Sequence, residues 1–242
     1  MDASNRNILI VGGGSGMGRA LAARCLEAGA RVVIAGRSEG RLKQAAEAMG
    51  DPPSLGAVAV DIAQETQVAD MFRRIGPLDH IVSTAADIEG AYELLPSLDL
   101  KAAQRVVESK FYGPLLLAKH GAPMLSAAGS ITFTSGIAAY RPAARGSVVA
   151  AINAALEGLV RALAIELAPI RVNAVSPGWV DTPIWDSVAG PDKPALLEAM
   201  ADKLPIGRIG HAEEVADALA AVMSNGFING TVLHVDGGQR LV

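Results

Sequence analysis

Hydrophobic positions along this chain follow two alternating patterns. Short apolar runs bounded by glycine, proline or polar residues predict buried strands, and apolar residues three or four positions apart predict amphipathic helices between them. The predicted strands are residues 8–11, 31–35, 56–60, 78–83, 129–134, 171–175 and a last one within 230–238. Regular alternation of the two elements predicts a single α/β domain over residues 1–242, with seven parallel strands in a doubly wound sheet and helices on both faces.

Apolar residues at helical spacing predict helices between the strands. They are the stretch after the first strand, where Met17, Leu21 and Cys25 are four residues apart, and residues 39–49, 64–75, 148–168, 193–203 and 212–223. Residues 98–125 carry two helical patterns with a predicted break near Gly113 and Pro114, because proline lacks a backbone N–H.

A cluster of glycines follows the first strand directly. Residues 12–18 read GGGSGMG and lead straight into the first predicted helix. Glycine adopts positive φ easily and has no Cβ, so a pyrophosphate can lie against the backbone and face the helix amides. The spacing is G-x-x-x-G-x-G, and the alternative is a turn that only packs tightly. The predicted dinucleotide-binding residues of this turn are Gly12, Gly14, Ser15, Gly16, Met17 and Gly18.

The end of the second strand indicates which nucleotide is bound. In dinucleotide-binding folds an acidic residue there binds the ribose 2′-hydroxyl, whereas an arginine accommodates a 2′-phosphate. Gly36 stands at the acidic position, and Arg37 and Ser38 follow it. Because a guanidinium pairs well with phosphate oxygens, we predict a preference for NADP(H) over NAD(H). The alternative is that Arg37 stacks on adenine without contacting a phosphate.

Composition narrows the classes of function. The chain has 242 residues, half of them apolar, which suffices for a large core. A formal net charge of −4 argues against a nucleic-acid partner. The single cysteine argues against a disulfide framework and suits a reducing compartment. No uninterrupted apolar run reaches about 18 residues, and the histidines lack ligand spacing. We therefore expect a cytoplasmic protein without a membrane span or a bound metal.

The glycine turn and several later motifs resemble the short-chain dehydrogenase/reductase family, whose members open with TGxxxGxG. Val11 stands where that family usually has threonine, and residues 83–86 read STAA instead of NNAG. The resemblance covers nearly the whole chain and implies a Rossmann-like fold, a nicotinamide cofactor and chemistry on a carbonyl/alcohol pair. It implies further cofactor contacts at Asp61, Ile62, Ala85, Pro177, Gly178, Val180 and Thr182.

The catalytic half of the family pattern is missing. In that family a tyrosine donates the proton, a lysine four residues later lowers the pKa of that tyrosine and holds the ribose, a serine orients the carbonyl, and an asparagine supports a water chain. The register is set by Gly113 and by NAALEG at residues 153–158, which matches the usual KAALEG. The four positions then hold Val149, Asn153, Gly136 and Lys110, and no YxxxK motif occurs anywhere in the chain.

Other residues are candidates for the missing roles. Lys110 restores one cation, and we predict that it acts as general acid or electrostatic stabiliser. Ser135 and Tyr140 would orient the substrate, and Asn153 would hydrogen-bond a ribose hydroxyl. The alternative is that Lys110 pairs with Glu108 or another carboxylate and has a structural role.

Three functions remain open at this point. The first is an NADP(H)-dependent oxidoreductase with a rearranged acid–base apparatus. The second is an enzyme that uses the same pocket for a non-redox reaction, such as dehydration or cyclisation. The third is a catalytically inactive NADP(H)-binding sensor or scaffold protein.

The expected substrate and assembly follow from the less regular segments. Residues 184–210 are rich in proline, glycine and aspartate, and we predict a lid over the substrate, with Trp179 and Trp185 near its hinge; the alternative is a plain surface insertion. The pocket residues favour a mainly apolar small molecule, with Arg141 or Arg145 available for a polar group. Two apolar segments, 114–117 and 148–168, could form contacts between subunits, and we expect a homotetramer or homodimer.

Overall fold

Seven parallel strands form one sheet in the computed structural model, which describes residues 3–242. The strands are β1 (Asn7–Val11), β2 (Arg31–Gly36), β3 (Leu55–Ala59), β4 (Leu78–Ser83), β5 (Leu125–Thr134), β6 (Arg171–Pro177) and β7 (Val232–Val235). Their order is β3-β2-β1-β4-β5-β6-β7, so the chain crosses from one half of the sheet to the other between β3 and β4. This arrangement confirms the predicted Rossmann-like sheet.

Nine α-helices within the described residues surround the sheet. They are α1 (Gly16–Glu27), α2 (Glu39–Ala48), α3 (Glu65–Ile75), α4 (Leu100–Val107), α5 (Gly113–Gly121), α6 (Ser147–Glu166), α7 (Ile184–Ala189), α8 (Lys193–Ala201) and α9 (Ala212–Ser224). One apolar cluster joins α1, α2 and α9 to one face of the sheet, and a second joins α3, α5 and α6 to the other. Burial of β1 between the two clusters explains why its residues 8–11 form a continuous apolar run.

The strand register aligns the ends that carry the cofactor motif. Val11 of β1 lies opposite Ala35 of β2 on one side and Ser83 of β4 on the other. The glycine turn therefore leaves the sheet between the ends of β2 and β4, where the strand order reverses. In open α/β sheets this switch point is the usual place for a ligand.

The segment that connects β4 to β5 differs from the sequence prediction. The predicted break at Gly113 and Pro114 is wrong, because α4 continues into α5 through one π-helical turn, Glu108–Tyr112. The N–H of Gly113 donates to the carbonyl of Glu108, and Pro114 falls in the first turn of α5, where its missing N–H matters least. Lys110 lies in the middle of this turn and is buried, with 6% exposure. Such π turns often occur at functional sites.

The excursion between β6 and α9 forms a folded unit rather than a loose loop. It contains α7 in addition to the predicted helix, which the structure places at α8. Its two ends meet, since the Gly210 N–H donates to the Trp179 carbonyl at 2.9 Å and the Asp181 N–H donates to the Gly210 carbonyl at 2.9 Å.

The long helix α6 is the centre of the second apolar cluster. Among the residues that the structure describes, it is the one helix long and apolar enough, by length and composition, to cross a membrane. Leu156 and Val160 of this helix are buried against the sheet, which is the pattern of a core helix.

Candidate active site

A groove of about 890 Å³ runs along the carboxyl ends of β1 to β4. Its size lies in the range of ordinary cofactor and ligand sites. Most of the predicted cofactor residues line it: Gly12, Gly14, Ser15, Gly16, Met17, Arg37, Ser38, Asp61, Ile62, Ala85 and Thr182. Five predicted residues do not line this groove: Gly18 in the first turn of α1, Asn153 within α6, Pro177 at the end of β6, and Gly178 and Val180 just after it.

The glycine turn has the shape that a diphosphate needs. Gly12 has φ +85°, and a Cβ built on it would lie 2.6 Å from the Thr84 hydroxyl oxygen. A Cβ on Gly18 would collide with the carbonyl oxygen of Gly12, so α1 can approach the turn closely only with glycine there. The side chain of Ser15, the N-cap residue, accepts no hydrogen bond from the first N–H groups of α1, which leaves these groups available at the groove. Uncapped amides at a helix N-terminus suit an anion such as the diphosphate of a nicotinamide dinucleotide.

The rim of the groove near β2 carries cationic and hydroxyl groups. Arg37 is 59% exposed, and its Nη1 donates to Oδ2 of Asp87 at 2.6 Å. The Ser38 hydroxyl accepts from the Arg41 N–H and caps α2, and Arg41 also lines the groove. Asp87 was not among the residues predicted from sequence; it follows β4 and reaches Arg37 because β2 and β4 lie on either side of β1.

Lys110 is buried near the end of β5. Its Nζ donates to the Ser135 carbonyl at 3.2 Å, and burial lowers the pKa of its ammonium to about 8. Among residues 3–242 no carboxylate lies within ion-pair distance of this nitrogen, and Glu108 accepts instead from Gln104 at 2.7 Å. Lys110 therefore forms no ion pair with Glu108 or with another carboxylate of the described residues.

Asn153 occupies space that the family gives to serine. A Cβ built on Gly136 would lie 2.8 Å from Nδ2 of Asn153, so a serine at this position would collide with the amide. The Oδ1 atom of Asn153 is buried and has no hydrogen-bond partner within the described chain. A buried acceptor of this kind needs a donor, and a ribose hydroxyl would supply one.

A second polar cluster forms around Glu157, which is 5% exposed. The Ser135 hydroxyl donates to its Oε1 at 2.7 Å, and the Tyr140 hydroxyl donates to its Oε2 at 2.5 Å. Burial of the phenol and the adjacent carboxylate raise the pKa of Tyr140 to about 12. The sequence analysis used Glu157 only to set the register. A signal was present, because Val149, Asn153 and Glu157 are four residues apart and share one face of α6.

These contacts separate the predicted catalytic residues into two groups. Lys110 donates a hydrogen bond to the backbone carbonyl of Ser135, whereas the hydroxyls of Ser135 and Tyr140 both donate to the carboxylate of Glu157. The Tyr140 ring also packs edge-on against His234, with 4.6 Å between centroids. Tyr140 thus contacts β7 and α6 and makes no hydrogen bond to Lys110.

Val149, at the position of the family's tyrosine, is surrounded by apolar side chains. Val149 is buried in an apolar cluster with Ile88 and Val106. Ile184 and Val188 of α7 pack against the same cluster, so the segment between β6 and α9 covers this region.

Aromatic rings and one lysine fix that covering segment. Trp179 stacks on Trp185 with 4.2 Å between centroids and 10° between planes, and Nε1 of Trp185 donates to the Val180 carbonyl at 2.9 Å. Lys193 forms ion pairs of 2.9 Å with both Asp181 and Asp186. These contacts fix the first part of the segment, residues 179–193.

Comparison with known proteins identifies the family. The family model described as "Enoyl-(Acyl carrier protein) reductase" matches residues 12–240. The "Short-chain dehydrogenase/reductase ATR9" of Stachybotrys chlorohalonatus is 35% identical over 252 residues, covering 98% of this chain and 97% of the relative. The chain belongs to the short-chain dehydrogenase/reductase family.

Two solved structures of similar shape extend the comparison. "MalC Reductase/Diels-Alderase" from Malbranchea aurantiaca superposes with a TM-score of 0.91 at 33% identity, covering 99% of this chain and 98% of that one. A small-chain dehydrogenase in complex with NADPH superposes with a TM-score of 0.84 at 33% identity, covering 99% and 100%.

Membership in the short-chain dehydrogenase/reductase family supports the predicted class of oxidoreductase and a nicotinamide cofactor. Homologues in this family act on small-molecule substrates. Within this family the chain keeps the glycine turn of the opening motif, at Gly12, Gly16 and Gly18. At the catalytic positions it has Val149, Asn153, Gly136 and Lys110.

Proposed function

We propose that this short-chain dehydrogenase/reductase interconverts a carbonyl and an alcohol with NADP(H), and that Lys110 is its proton donor. The nicotinamide, when bound, supplies or accepts the hydride. The observation that carries the proposal is the buried, carboxylate-free ammonium of Lys110, whose pKa of about 8 keeps it mostly protonated at neutral pH but able to release a proton.

The other residues of the site position and shield the reactants. The uncapped amides of α1 and the glycine turn would hold the diphosphate, and Oδ1 of Asn153 would accept a ribose hydroxyl. Val149 and the α7 residues packed on it exclude water from the reacting carbonyl. The apolar residues around Val149, among them Ile88 and Ile184, support a mainly apolar substrate.

Preference for NADP(H) over NAD(H) rests on the rim near β2. Arg37 and Arg41 line the groove, and position 36 carries no carboxylate. A related structure at 33% identity holds NADPH, which supports the same choice for this chain.

Replacing Lys110 tests the proposal directly. In Lys110→Met we expect NADPH oxidation with a responsive ketone to fall about 100-fold or more, because a positioned proton donor contributes on that order. The dissociation constant of NADPH, measured by fluorescence titration, should stay within about threefold, since the side chain lies outside the groove. Reductase activity of the unmodified protein should decline above about pH 8, where the ammonium loses its proton.

The matched control for this test is Lys119→Met, which removes an exposed lysine of α5 that pairs with Glu65. It should leave turnover and NADPH affinity unchanged. Equal turnover in Lys110→Met and in the unmodified protein would contradict the assignment of the proton donor.

One observation favours a second candidate function, in which the pocket serves a non-redox reaction or only binds NADP(H). The tyrosine position lies inside an apolar cluster and offers no proton donor. A solved relative is named as both a reductase and a Diels–Alderase. Product formation without NADPH loss would favour a non-redox enzyme, and tight NADPH binding without turnover across a ketone panel would favour a sensor or scaffold.

We further propose a cytoplasmic homotetramer or homodimer. The outward face of α6 exposes small residues and Ile165, which is 82% exposed, and the apolar Leu100 of α4 is 76% exposed. The single cysteine, Cys25, is buried, and burial raises the pKa of its thiol to about 12, which suits a protein without disulfides. Light scattering that gives a monomeric mass would contradict the assembly.

A further inference from the structure

One ion pair crosses the groove from the end of β2 to the end of β4. Nη1 of Arg37 lies 2.6 Å from Oδ2 of Asp87. Because β1 lies between β2 and β4 in the sheet, this pair passes above the start of the glycine turn. It therefore occupies the rim where the adenosine ribose of a dinucleotide would approach Arg37.

The two partners are held in different ways. The carboxylate of Asp87 is 10% exposed, and the side chain of Arg37 is 59% exposed. The Asp87 N–H donates to the Ser109 hydroxyl at 3.0 Å, and Oδ1 of Asp87 accepts from the Glu89 N–H at 3.4 Å. The carboxylate is thus fixed by the loop after β4, and it presents Oδ2 to a guanidinium on a flexible stem.

We propose that Asp87 is a selectivity residue that competes with the ribose 2′-phosphate for Arg37 and so narrows the preference for NADP(H) over NAD(H). The proposal rests on the function proposed above. It goes beyond the simple rule that an arginine after β2 favours NADP(H), because it assigns that arginine a competing anion within the same chain.

The competition follows from charge. A 2′-phosphate must either displace the Asp87 carboxylate from the guanidinium or share the guanidinium with it, and two anions on one cation repel each other. The 2′-hydroxyl of NAD(H) is neutral and can donate a hydrogen bond to a carboxylate. The acidic residue that usually accepts this hydrogen bond at the end of β2 is replaced by Gly36. Asp87, which follows β4, brings a carboxylate to the same rim.

The decisive measurement is the pair of dissociation constants for NADPH and NADH in Asp87→Asn, obtained by calorimetric titration of the full-length protein. Asparagine keeps the Oδ1 acceptor for the Glu89 N–H but removes the charge. We expect the dissociation constant of NADPH to fall about fivefold, the size of an exposed charge interaction, and that of NADH to change less than about twofold. Glu89→Gln is the matched control, because its carboxylate lines the same groove without pairing with Arg37.

A double-mutant cycle with Arg37→Met separates competition from a general change of charge. In the Arg37→Met background, Asp87→Asn should no longer tighten NADPH binding beyond the effect of Glu89→Gln. A gain that persists without Arg37, or an unchanged ratio of NADPH to NADH affinity in Asp87→Asn, overturns the inference and leaves the proposed function standing. An unmodified protein that binds neither nucleotide overturns both.

Discussion

At the glycine turn, contacts with the backbone decide which residues fit, whereas in the first half of α6 contacts between side chains do. Gly12 and Gly18 are required by contacts with main-chain atoms and with Thr84, so almost no other residue fits there. At α6 the side chain of Asn153 fills the space beside Gly136, and a change at one position can be compensated at the other. This difference explains how the chain can keep the glycine turn of its family while each of the four family catalytic positions holds another residue.

The polar groups in and beside α6 differ in how fully they are hydrogen-bonded. The carboxylate of Glu157 receives two hydroxyl donors, and Lys110 has only a backbone carbonyl as its hydrogen-bond partner in the part of the chain described. The buried Oδ1 of Asn153 has no donor. Of the unpartnered buried side-chain atoms in the described residues, the Oδ1 of Asn153 is the one next to Ser135, whose carbonyl accepts from Lys110; the others belong to Thr132, Ser176, His234 and Gln239.

The largest effect is expected from breaking the backbone-shaped region. In Gly18→Ala, the new Cβ meets the Gly12 carbonyl oxygen and lies 2.6 Å from the Thr84 hydroxyl oxygen, so α1 or the turn must move. We expect a loss of about 2–4 kcal/mol in the free energy of unfolding, measured by denaturant titration, and a rise of the NADPH dissociation constant of about 100-fold.

Gly40→Ala is the control for that prediction. Gly40 lies in α2, and nothing lies within 4 Å of its would-be Cβ, so alanine should stabilise the protein by about 0.5–1 kcal/mol. NADPH affinity that survives in Gly18→Ala would show that the turn is not the diphosphate site.

A smaller effect is expected from the side-chain-shaped region. In Gly136→Ser, the new Cβ would lie 2.8 Å from Nδ2 of Asn153, which is closer than van der Waals contact. We therefore expect the free energy of unfolding to decrease by about 1–3 kcal/mol. Most of this loss should disappear when Asn153→Ala is present, since the colliding amide is then removed.

The thermodynamic cycle of the two substitutions measures that coupling. An interaction of about 1–2 kcal/mol is expected for groups in direct contact, and additive losses would mean that Gly136 is required for another reason. Asn153→Ala alone breaks no hydrogen bond of the described structure, so its own effect reports the cavity it leaves.

The strands and the cofactor turn could be predicted from sequence because each depends on local patterns. Strands buried on both faces are continuous apolar runs, and the turn needs several glycines in a fixed context. The π turn around Lys110 could not be predicted, because one extra residue in a helix shifts the apolar period in the same way as a break. The short helix α7 was missed because six residues carry too little periodicity to detect.

The missed residues of the site depend on the order of strands and on contacts across the fold. Asp87 and Arg37 are fifty positions apart in sequence. They meet because Arg37 follows β2 and Asp87 follows β4, and these two strands lie on either side of β1. Glu157 belongs to a motif that matches the family, so a comparison of patterns marks it as ordinary. Its two hydroxyl partners, Ser135 and Tyr140, are visible only once α6 is placed against the end of β5.

The smallest effect is expected from the Glu157 cluster, and it depends on pH. The pKa of Tyr140 in the folded protein is about 12, above the ordinary value of 10 that applies to the unfolded chain. The folded state therefore holds the phenol proton more tightly, and this contribution to stability is present below pH 10 and is lost as the pH rises from 10 towards 12. The free energy of unfolding should decrease over that interval in the unmodified protein.

Glu157→Gln should lower the pKa of Tyr140 part of the way towards 10, because the negative charge is removed while burial of the phenol, the largest cause of the shift, remains. The phenolate absorbance, followed against pH and compared with Tyr140→Phe to isolate this one tyrosine, measures the shift. The decrease in stability above pH 10 should become shallower in the same variant. A Tyr140 titration that is the same with and without the carboxylate would place the cause in burial alone, and Glu157 would then serve only to hold Ser135 at the end of β5.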